Sequence, residues 1–303
     1  MTLFIDPPAW PAHGTLFSHL VSDGSLRELR LFARAAGVHD RAFDLDHYDV
    51  PAERYDALVA AGAVPVDGGD LARRLATSGL RVSGGERNRA KRAALLTRWD
   101  GLWADPSLAR TAGEELVDRW REPHRVYHST LHLAVALDAL DSIAPGVQLS
   151  ERAIWRACLA LWFHDAVHDG VAQQDEERSA ALVGELLGPL AGAEVTNQDV
   201  DEIARLVLVT ADHAPAPDDV VGALVSDADL AVLGGTPAVY TRYTRQVRAE
   251  YCDVPDALFR SGRSQVLRTL LDGGPLFRTG PGAARWQPAA DANLRAELAT
   301  LAA

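Results

Sequence analysis

The chain has 303 residues, with 30 basic against 42 acidic side chains and a formal net charge of −12. A hydrophobic share of 48% is enough for a sizeable core and excludes a disordered chain. The acidic balance excludes recruitment to nucleic acid or anionic membrane by bulk charge, because both need a basic surface. Lys91 is the single lysine and the other basic residues are arginines, a skew that fits high-GC coding with abundant Ala, Gly and Pro. Cys158 and Cys252 form no disulfide framework and no CxxC pair, which points to a reducing compartment, with Cys158 inside an apolar helical pattern. Met1 is followed by no charged n-region and no long apolar stretch, and no apolar run approaches the ~20 residues of a membrane helix. The expectation is a soluble, cytoplasmic protein.

In chain order, Leu3-Phe4-Ile5 predicts a short strand halted by Asp6-Pro7-Pro8. Ser25-Leu26-Arg27-Glu28 has capping-box spacing and opens a helix whose apolar face continues through Leu29, Phe32 and Ala33. Pro51 stands where a helix can begin, with Tyr55, Leu58 and Val59 inward and Gly62 as its stop. Ala63-Val64-Pro65-Val66 predicts a second strand, and Asp70 a cap for a last short helix carrying Leu71 and Leu75. The Gly84-Gly85 pair then marks a change of character. The expected organisation is a small α/β domain at 1–82, a linker running into the first long helix at 83–94, and a helical domain at 95–303. No internal repeat and no low-complexity tract is visible.

Beyond the glycine pair the pattern is helical throughout. Leu95, Trp99, Leu102 and Trp103 follow i, i+4, i+7, i+8. Ser150 is a good N-cap for a helix with Ile154, Trp155, Cys158, Leu161 and Trp162 on one face. Ile203, Leu206, Val207 and Thr210 form another stripe, Val221, Leu224, Val225 and Ala228 a further one, and Tyr240, Tyr243, Val247 and Tyr251 an aromatic one. The fold class expected is mainly α, a helical bundle with a small N-terminal α/β domain.

The chemistry is concentrated in the histidines, which number 10 and come in two bursts. The first is His13, His19, His39 and His47; the second is His124, His128, His132, His164, His168 and His213. His128 and His132 are four apart in Tyr127-His128-Ser129-Thr130-Leu131-His132-Leu133, which predicts one shared helix face. His164/His168 and Asp165/Asp169 repeat that spacing as two adjacent stripes. His213 extends the 203-206-207-210 stripe inward by about one turn, and Ser226-Asp227-Ala228-Asp229-Leu230 sets two carboxylates in an apolar helix. Taken singly, each of these is most simply a core or capping residue. Together, on successive apolar helices, they favour a metal, because buried aspartates need a partner and neutral imidazole is a common ligand of divalent ions. The mixed N/O set suits Mn, Fe, Co, Ni, Zn or Mg, and the lack of nearby cysteine argues against structural zinc.

The order His132, His164-Asp165, Asp229 resembles the H…HD…D signature of the HD superfamily of metal-dependent phosphohydrolases. Arg121-Glu122-Pro123-His124-Arg125-Val126-Tyr127-His128, Trp162-Phe163-His164-Asp165, Glu176-Glu177-Arg178-Ser179-Ala180, Thr210 with His213, Asp227-Ala228-Asp229-Leu230 with Leu233-Gly234, and Arg248-Ala249-Glu250-Tyr251 are similar to predicted bacterial members, over about residues 95–303. The resemblance implies His132, His164, Asp165 and Asp229 as ligands of one divalent ion. Asp227 rivals Asp229, which the Ala-Asp-Leu context favours. It further implies hydrolysis of a nucleotide or other small phosphoester by a metal-activated water. His128, His168 and Asp169 would act in catalysis; His168 departs from the tyrosine common in closer relatives, so Asp169 is the better proton handler. His213, Arg125, Glu176 and Arg248 would contact substrate, the arginines through bidentate phosphate contacts. Each arginine is equally an ordinary surface residue, and Arg242, Arg245 and Arg248 at spacing three also read as the polar side of the aromatic stripe.

Two other readings stand beside this one: a non-catalytic sensor of a phosphorylated ligand, motivated by His168, and a di-iron oxygenase of the same fold. The latter is disfavoured because only His168 and His213 lie between the doublet and the last aspartate. The expected partner is a small phosphorylated substrate, with no nucleic acid and no membrane, and a homo-oligomer is compatible. Separately, Ile5 to Gly14, Phe17 to Asp23 and Ala42 to Pro51 resemble a short bacterial domain family of unknown function, over about residues 1–80. His13, His19, Asp23, Asp44, Asp46 and His47 lie there in loop-like segments or at element ends. They read either as caps and loop ties or as a second metal or phosphate site, and Trp10 as a loop anchor or stacking platform.

Overall fold

The structure is a computed structural model that describes residues 2–12, 15–171 and 173–302. His13 lies outside the described residues. The chain divides into two compact units, Met1–Arg92 and Ala93–Ala303.

The first unit is built on a mixed sheet of β1 (Leu3–Ile5), β2 (Trp10–Ala12), β3 (Thr15–Ser22), β4 (Tyr48–Pro51) and β5 (Val64–Pro65). The order is β2-β3-β1-β5, with β4 also paired to β3. β1, β2 and β4 run antiparallel to β3, while β5 runs parallel to β1. Three helices accompany it: α1 (Leu26–Ala35), α2 (Tyr55–Ala60) and α3 (Gly68–Thr77). Because strand side chains alternate, each face of the sheet collects its own cluster. Ile5, Leu20, Tyr48 and Val50 pack with Leu29 of α1 and Leu58 of α2 on one face. Phe4 and Val21 pack with Leu71 and Leu75 of α3 on the other.

Several local expectations need correction. Ser25 does cap α1, accepting from Glu28 N, but Glu28 reaches Ser22 Oγ and leaves the capping box half made. Pro51 closes β4, and a 3₁₀ turn at Ala52–Arg54 precedes α2. Asp67, not Asp70, caps α3, since its side chain accepts from Asp70 N. Gly84 and Gly85 stand in the first turn of α4 (Gly84–Asp100) instead of forming a linker. The strands β2, β3 and β4 had no sequence-level prediction: their inward positions include His19, Ser18 and Asp49, which hide the period of two.

The second unit is helical. The division falls within α4, which is followed by α5 (Pro106–Arg119), α6 (Thr130–Ile143), α7 (Glu151–Phe163), α8 (Gln174–Leu187) and α9 (Asn197–Val209). α10 (Val220–Asp229), α11 (Pro237–Glu250), α12 (Asp256–Asp272) and α13 (Gly280–Ala302) complete it. One core joins these helices, with Trp99, Trp120, Trp162, Leu133 and Leu224 fully buried. Trp99 Nε1 donates to Ala109 O at 2.9 Å and Trp120 Nε1 to Trp162 O at 2.9 Å, whereas the indole nitrogens of Trp103 and Trp162 are buried without a partner among the described residues. Gly113 lets α5 approach Trp99, since a Cβ there would lie 2.4 Å from the indole. Ser150 caps α7 by accepting from Ala153 N, and Thr196 and Asp199 form a full capping box on α9. Among the described residues, no single helix is long and apolar enough to cross a membrane.

Three helical spacings do not survive. Ser129 is the N-cap of α6, so His128 precedes the helix and shares no helix face with His132. α7 ends at Phe163, so the 164/168 and 165/169 spacings fall in a turn. The carbonyls released there find side-chain donors: Arg125 Nη1 bonds Asp165 O at 2.6 Å and Nη2 bonds Ala166 O at 3.1 Å.

Candidate metal centre

Three helix ends meet at one point of the second unit. α6 supplies His132 from its first turn, the turn after α7 supplies His164 and Asp165, and α10 ends on Asp229. His132 Nε2 stands 3.0 Å from Asp229 Oδ1 and 3.1 Å from His164 Nε2. His164 Nε2 is 3.1 Å from Asp165 Oδ2 and 3.4 Å from Asp229 Oδ1. His132 Nε2 and Asp165 Oδ2 are 3.7 Å apart. Nitrogen and oxygen ligands about 2.0–2.2 Å from a shared ion stand roughly 3–3.6 Å from each other, a spacing that the two histidines keep to one another and nearly keep to both aspartates, and His132, His164 and Asp165 have ligand atoms that all lie within 4.8 Å of one another. The ring orientation fits too: His164 Nδ1 lies 2.8 Å from Leu161 O, to which it donates, and this turns Nε2 toward the cluster.

The electrostatics favour a cation at this point. Burial works against ionisation of Asp165 and Asp229, but His164 and, at Asp229, His132 outweigh it and hold both carboxyls well below the usual range. The same two carboxylates push His164 well above the ordinary imidazole value against the opposing effect of burial. His213 follows α9 in the left-handed region, at φ 53°, a strained setting for a non-glycine residue. It places Nε2 3.7 Å from Asp229 Oδ2, and burial lowers its pKa.

Asp227 is buried but points elsewhere. It accepts from Arg278 N at 2.7 Å, Thr279 N at 2.9 Å and Thr279 Oγ1 at 2.6 Å, anchoring the entry to α13. Asp229 is therefore the aspartate that faces the histidines.

A second trio adjoins the first. Glu250, at the end of α11, bonds His128 Nδ1 and lies 3.2 Å from His168 Nε2. It also accepts from the backbone N–H groups of Val126, Tyr127 and His128 at 2.7, 2.9 and 3.1 Å. These bonds fix the turn that carries His128 into α6 and hold Glu250 below the usual carboxyl range, against the effect of burial. Sequence reasoning did not single out Glu250 as a site residue. The signal was present, because Tyr243, Val247 and Glu250 continue one stripe at spacings of four and three.

A cavity of about 170 Å3 opens on the cluster, lined among others by His128, Asp165, Glu176, His213 and the phenols of Tyr127 and Tyr243. Glu176 Oε2 is buried there without a hydrogen-bond partner among the described residues. The other expected site residues are not brought together. Asp169 is 55% exposed and pairs with Arg178, so the proton-handling role expected of it finds no placement near the cavity. Arg125 is consumed by carbonyls and by Glu122, which makes it a brace of the 164–166 turn and not a phosphate contact. Arg248 donates to Tyr251 O and Val254 O and lies over Phe259, closing the turn after α11.

In the comparisons with known proteins, a family model described as a protein of unknown function (DUF4031) matches residues 3–78. No HD-domain family model matches. No curated protein matches the chain, and no solved structure matches it.

Proposed function

We propose that residues 93–303 form an HD-type, metal-dependent phosphohydrolase that cleaves a nucleotide or another small phosphoester. The observation that carries this reading is the convergence of His132, His164, Asp165 and Asp229 from three separate helix ends, with the two histidine Nε2 atoms 3.0–3.7 Å from each other and from a carboxylate oxygen of both aspartates. These four residues would hold one divalent ion. Such an ion, when bound, polarises a phosphoryl oxygen and lowers the pKa of a coordinated water.

The chain's own residues supply the remainder. The 170 Å3 cavity is below the roughly 300–1,000 Å3 of pockets that enclose whole drug-sized ligands, so it seats the phosphoryl group and leaves most of the substrate outside. Glu176, with its unpartnered oxygen, takes the proton-handling place expected of Asp169. His128, oriented through Nδ1 by Glu250, keeps Nε2 for the leaving oxygen. Burial raises the Tyr127 and Tyr243 phenols, which stay protonated and act as O–H donors to an anionic group.

A second reading, a sensor that binds a phosphorylated ligand without turnover, draws on one observation: His168 is tied to Glu250 and Asp169 to Arg178, away from the cavity. The experiment is metal analysis combined with phosphate release from a nucleotide and phosphoester panel in Mn, Co, Ni or Mg. Metal binding and turnover in the unaltered chain, with turnover lost and metal content lowered by one equivalent in His164→Ala and Asp165→Ala, are the expected result. Equal metal content in the unaltered and Asp165→Ala chains overturns the site. Metal binding with no turnover across the panel leaves the sensor.

A further inference from the structure

The first unit holds a constellation that the hydrolase reading does not use. Asp6, His19 and Asp49 stand in a row across the sheet: Asp6 N bonds His19 O beyond the end of β1, and His19 is paired with Asp49 in the β3–β4 register. His47, two residues before Asp49, falls on the same face by strand alternation. That face is the one covered by α3. The ligand atoms of His19, His47 and Asp49 all lie within 4.8 Å of one another. His47 Nε2 is 3.4 Å from Asp49 Oδ1, and His19 Nε2 is 3.8 Å from the same oxygen.

The outer nitrogens are already committed. His19 Nδ1 lies 3.1 Å from Asp6 Oδ2, and His47 Nδ1 lies 2.6 Å from Asp46 Oδ1. Both carboxylates are buried and held in turn, Asp6 by the N–H groups of His19 and Trp10, Asp46 by Val82 N and Arg87. Each imidazole thus donates Nδ1–H to a fixed carboxylate and presents Nε2 as a lone pair, which is the carboxylate–histidine arrangement that orients metal ligands. His19 and His47 also line a pocket of about 420 Å3 with Trp10, Leu71 and Arg81.

We infer that His19 Nε2, His47 Nε2 and Asp49 hold a divalent first-row transition-metal ion in the first unit, with its remaining coordination positions open to the 420 Å3 pocket. Three protein ligands of this kind leave room for water or an oxygen-donor small molecule, which separates the site from a closed structural one.

The test is a Co2+ titration of the full chain, read by bound equivalents and visible absorption. In Asp165→Ala/Asp229→Ala, where the helical cluster is disabled, about one equivalent should still bind, and His19→Gln or His47→Gln added to that chain should remove it. Asp46→Asn should weaken the remaining binding by about 10–100-fold, as loss of an orienting partner does. The same histidine substitutions in the otherwise unaltered chain, with circular dichroism to confirm folding, should lower the stoichiometry by one equivalent even where the double variant fails to fold. No Co2+ bound by the folded Asp165→Ala/Asp229→Ala chain, or binding indifferent to both histidine substitutions, overturns the inference. Both outcomes are independent of whether the helical unit hydrolyses anything.

Discussion

Asp227 and Asp229 are two residues apart at the end of α10, both removed from bulk water, and their surroundings set them opposite tasks. Asp227 sits among backbone and hydroxyl donors from Arg278 and Thr279, and burial raises its carboxyl above the usual range despite those bonds. Asp229 faces two imidazoles that keep it ionised. Asp227→Asn turns an amide toward donors and should cost about 1–3 kcal/mol of stability, with metal content unchanged. Asp229→Asn should remove the metal equivalent of the helical unit while circular dichroism remains that of the folded chain. Denaturant unfolding beside metal analysis checks both, and the opposite pattern would make Asp227 the ligand.

Elements in this protein are fastened at their ends, and the start of α9 shows how. Asp199 is buried, closes the capping box with Thr196, and pairs with Arg152 and Arg156 of α7. Burial opposes its ionisation, but the hydrogen bonds from Arg152, Thr196 and Arg156 prevail and hold the carboxyl well below the usual range. The sign follows from linkage: a folded-state pKa below the unfolded one contributes stability above about pH 4 that is lost as pH falls through the folded value. Asp199→Asn should therefore cost about 1.5–3 kcal/mol near neutral pH, the range for hydrogen bonds to charged groups. That difference should shrink on acidification below about pH 4, as measured by urea midpoints across pH. A constant difference down to strongly acidic pH would show that Asp199 acts by packing alone. The turn after α7 follows the same logic, since Arg125 bonds the carbonyls of Asp165 and Ala166 and so braces the turn on which His164 and Asp165 are displayed.

For the whole molecule, the two proposed metal sites imply that metal binding and folding are coupled. Clustered carboxylates without a counter-charge strain the folded state, and a ligand bound only by that state stabilises it by about 2.7 kcal/mol at 100-fold over Kd. Chelation should lower the melting temperature of the unaltered chain, and Mn2+ or Co2+ should restore it. A chain carrying Asp165→Ala should lose that part of the response that belongs to the helical unit. A melting temperature indifferent to chelator in the unaltered chain would show that neither cluster takes up metal. The net charge of −12 gains meaning here, since part of the acidic excess lies in three groups of histidine and carboxylate, one in the first unit and two in the second.

Much of this was legible in the sequence because it depends on local periodicity. The helical stripes of α7, α9, α10 and α11 and the caps at Ser25 and Ser150 follow from spacing and residue type, while the order His132, His164-Asp165, Asp229 is what the resemblance to the HD superfamily implies. What spacing could not decide is where a helix stops. Spacing puts His128 and Asp169 on shared faces with their neighbours, and the start of α6 and the end of α7 place both off the helices. The choice between Asp227 and Asp229 needed residues 278 and 279, some fifty positions away, and the roles of Arg125 and Arg248 needed carbonyls brought in by chain reversal. In the first unit the sequence by itself determined which residue types were present. Their assembly into a row, Asp6 beside His19 beside Asp49, depends on strand register, which is a long-range pairing with no local trace in the chain.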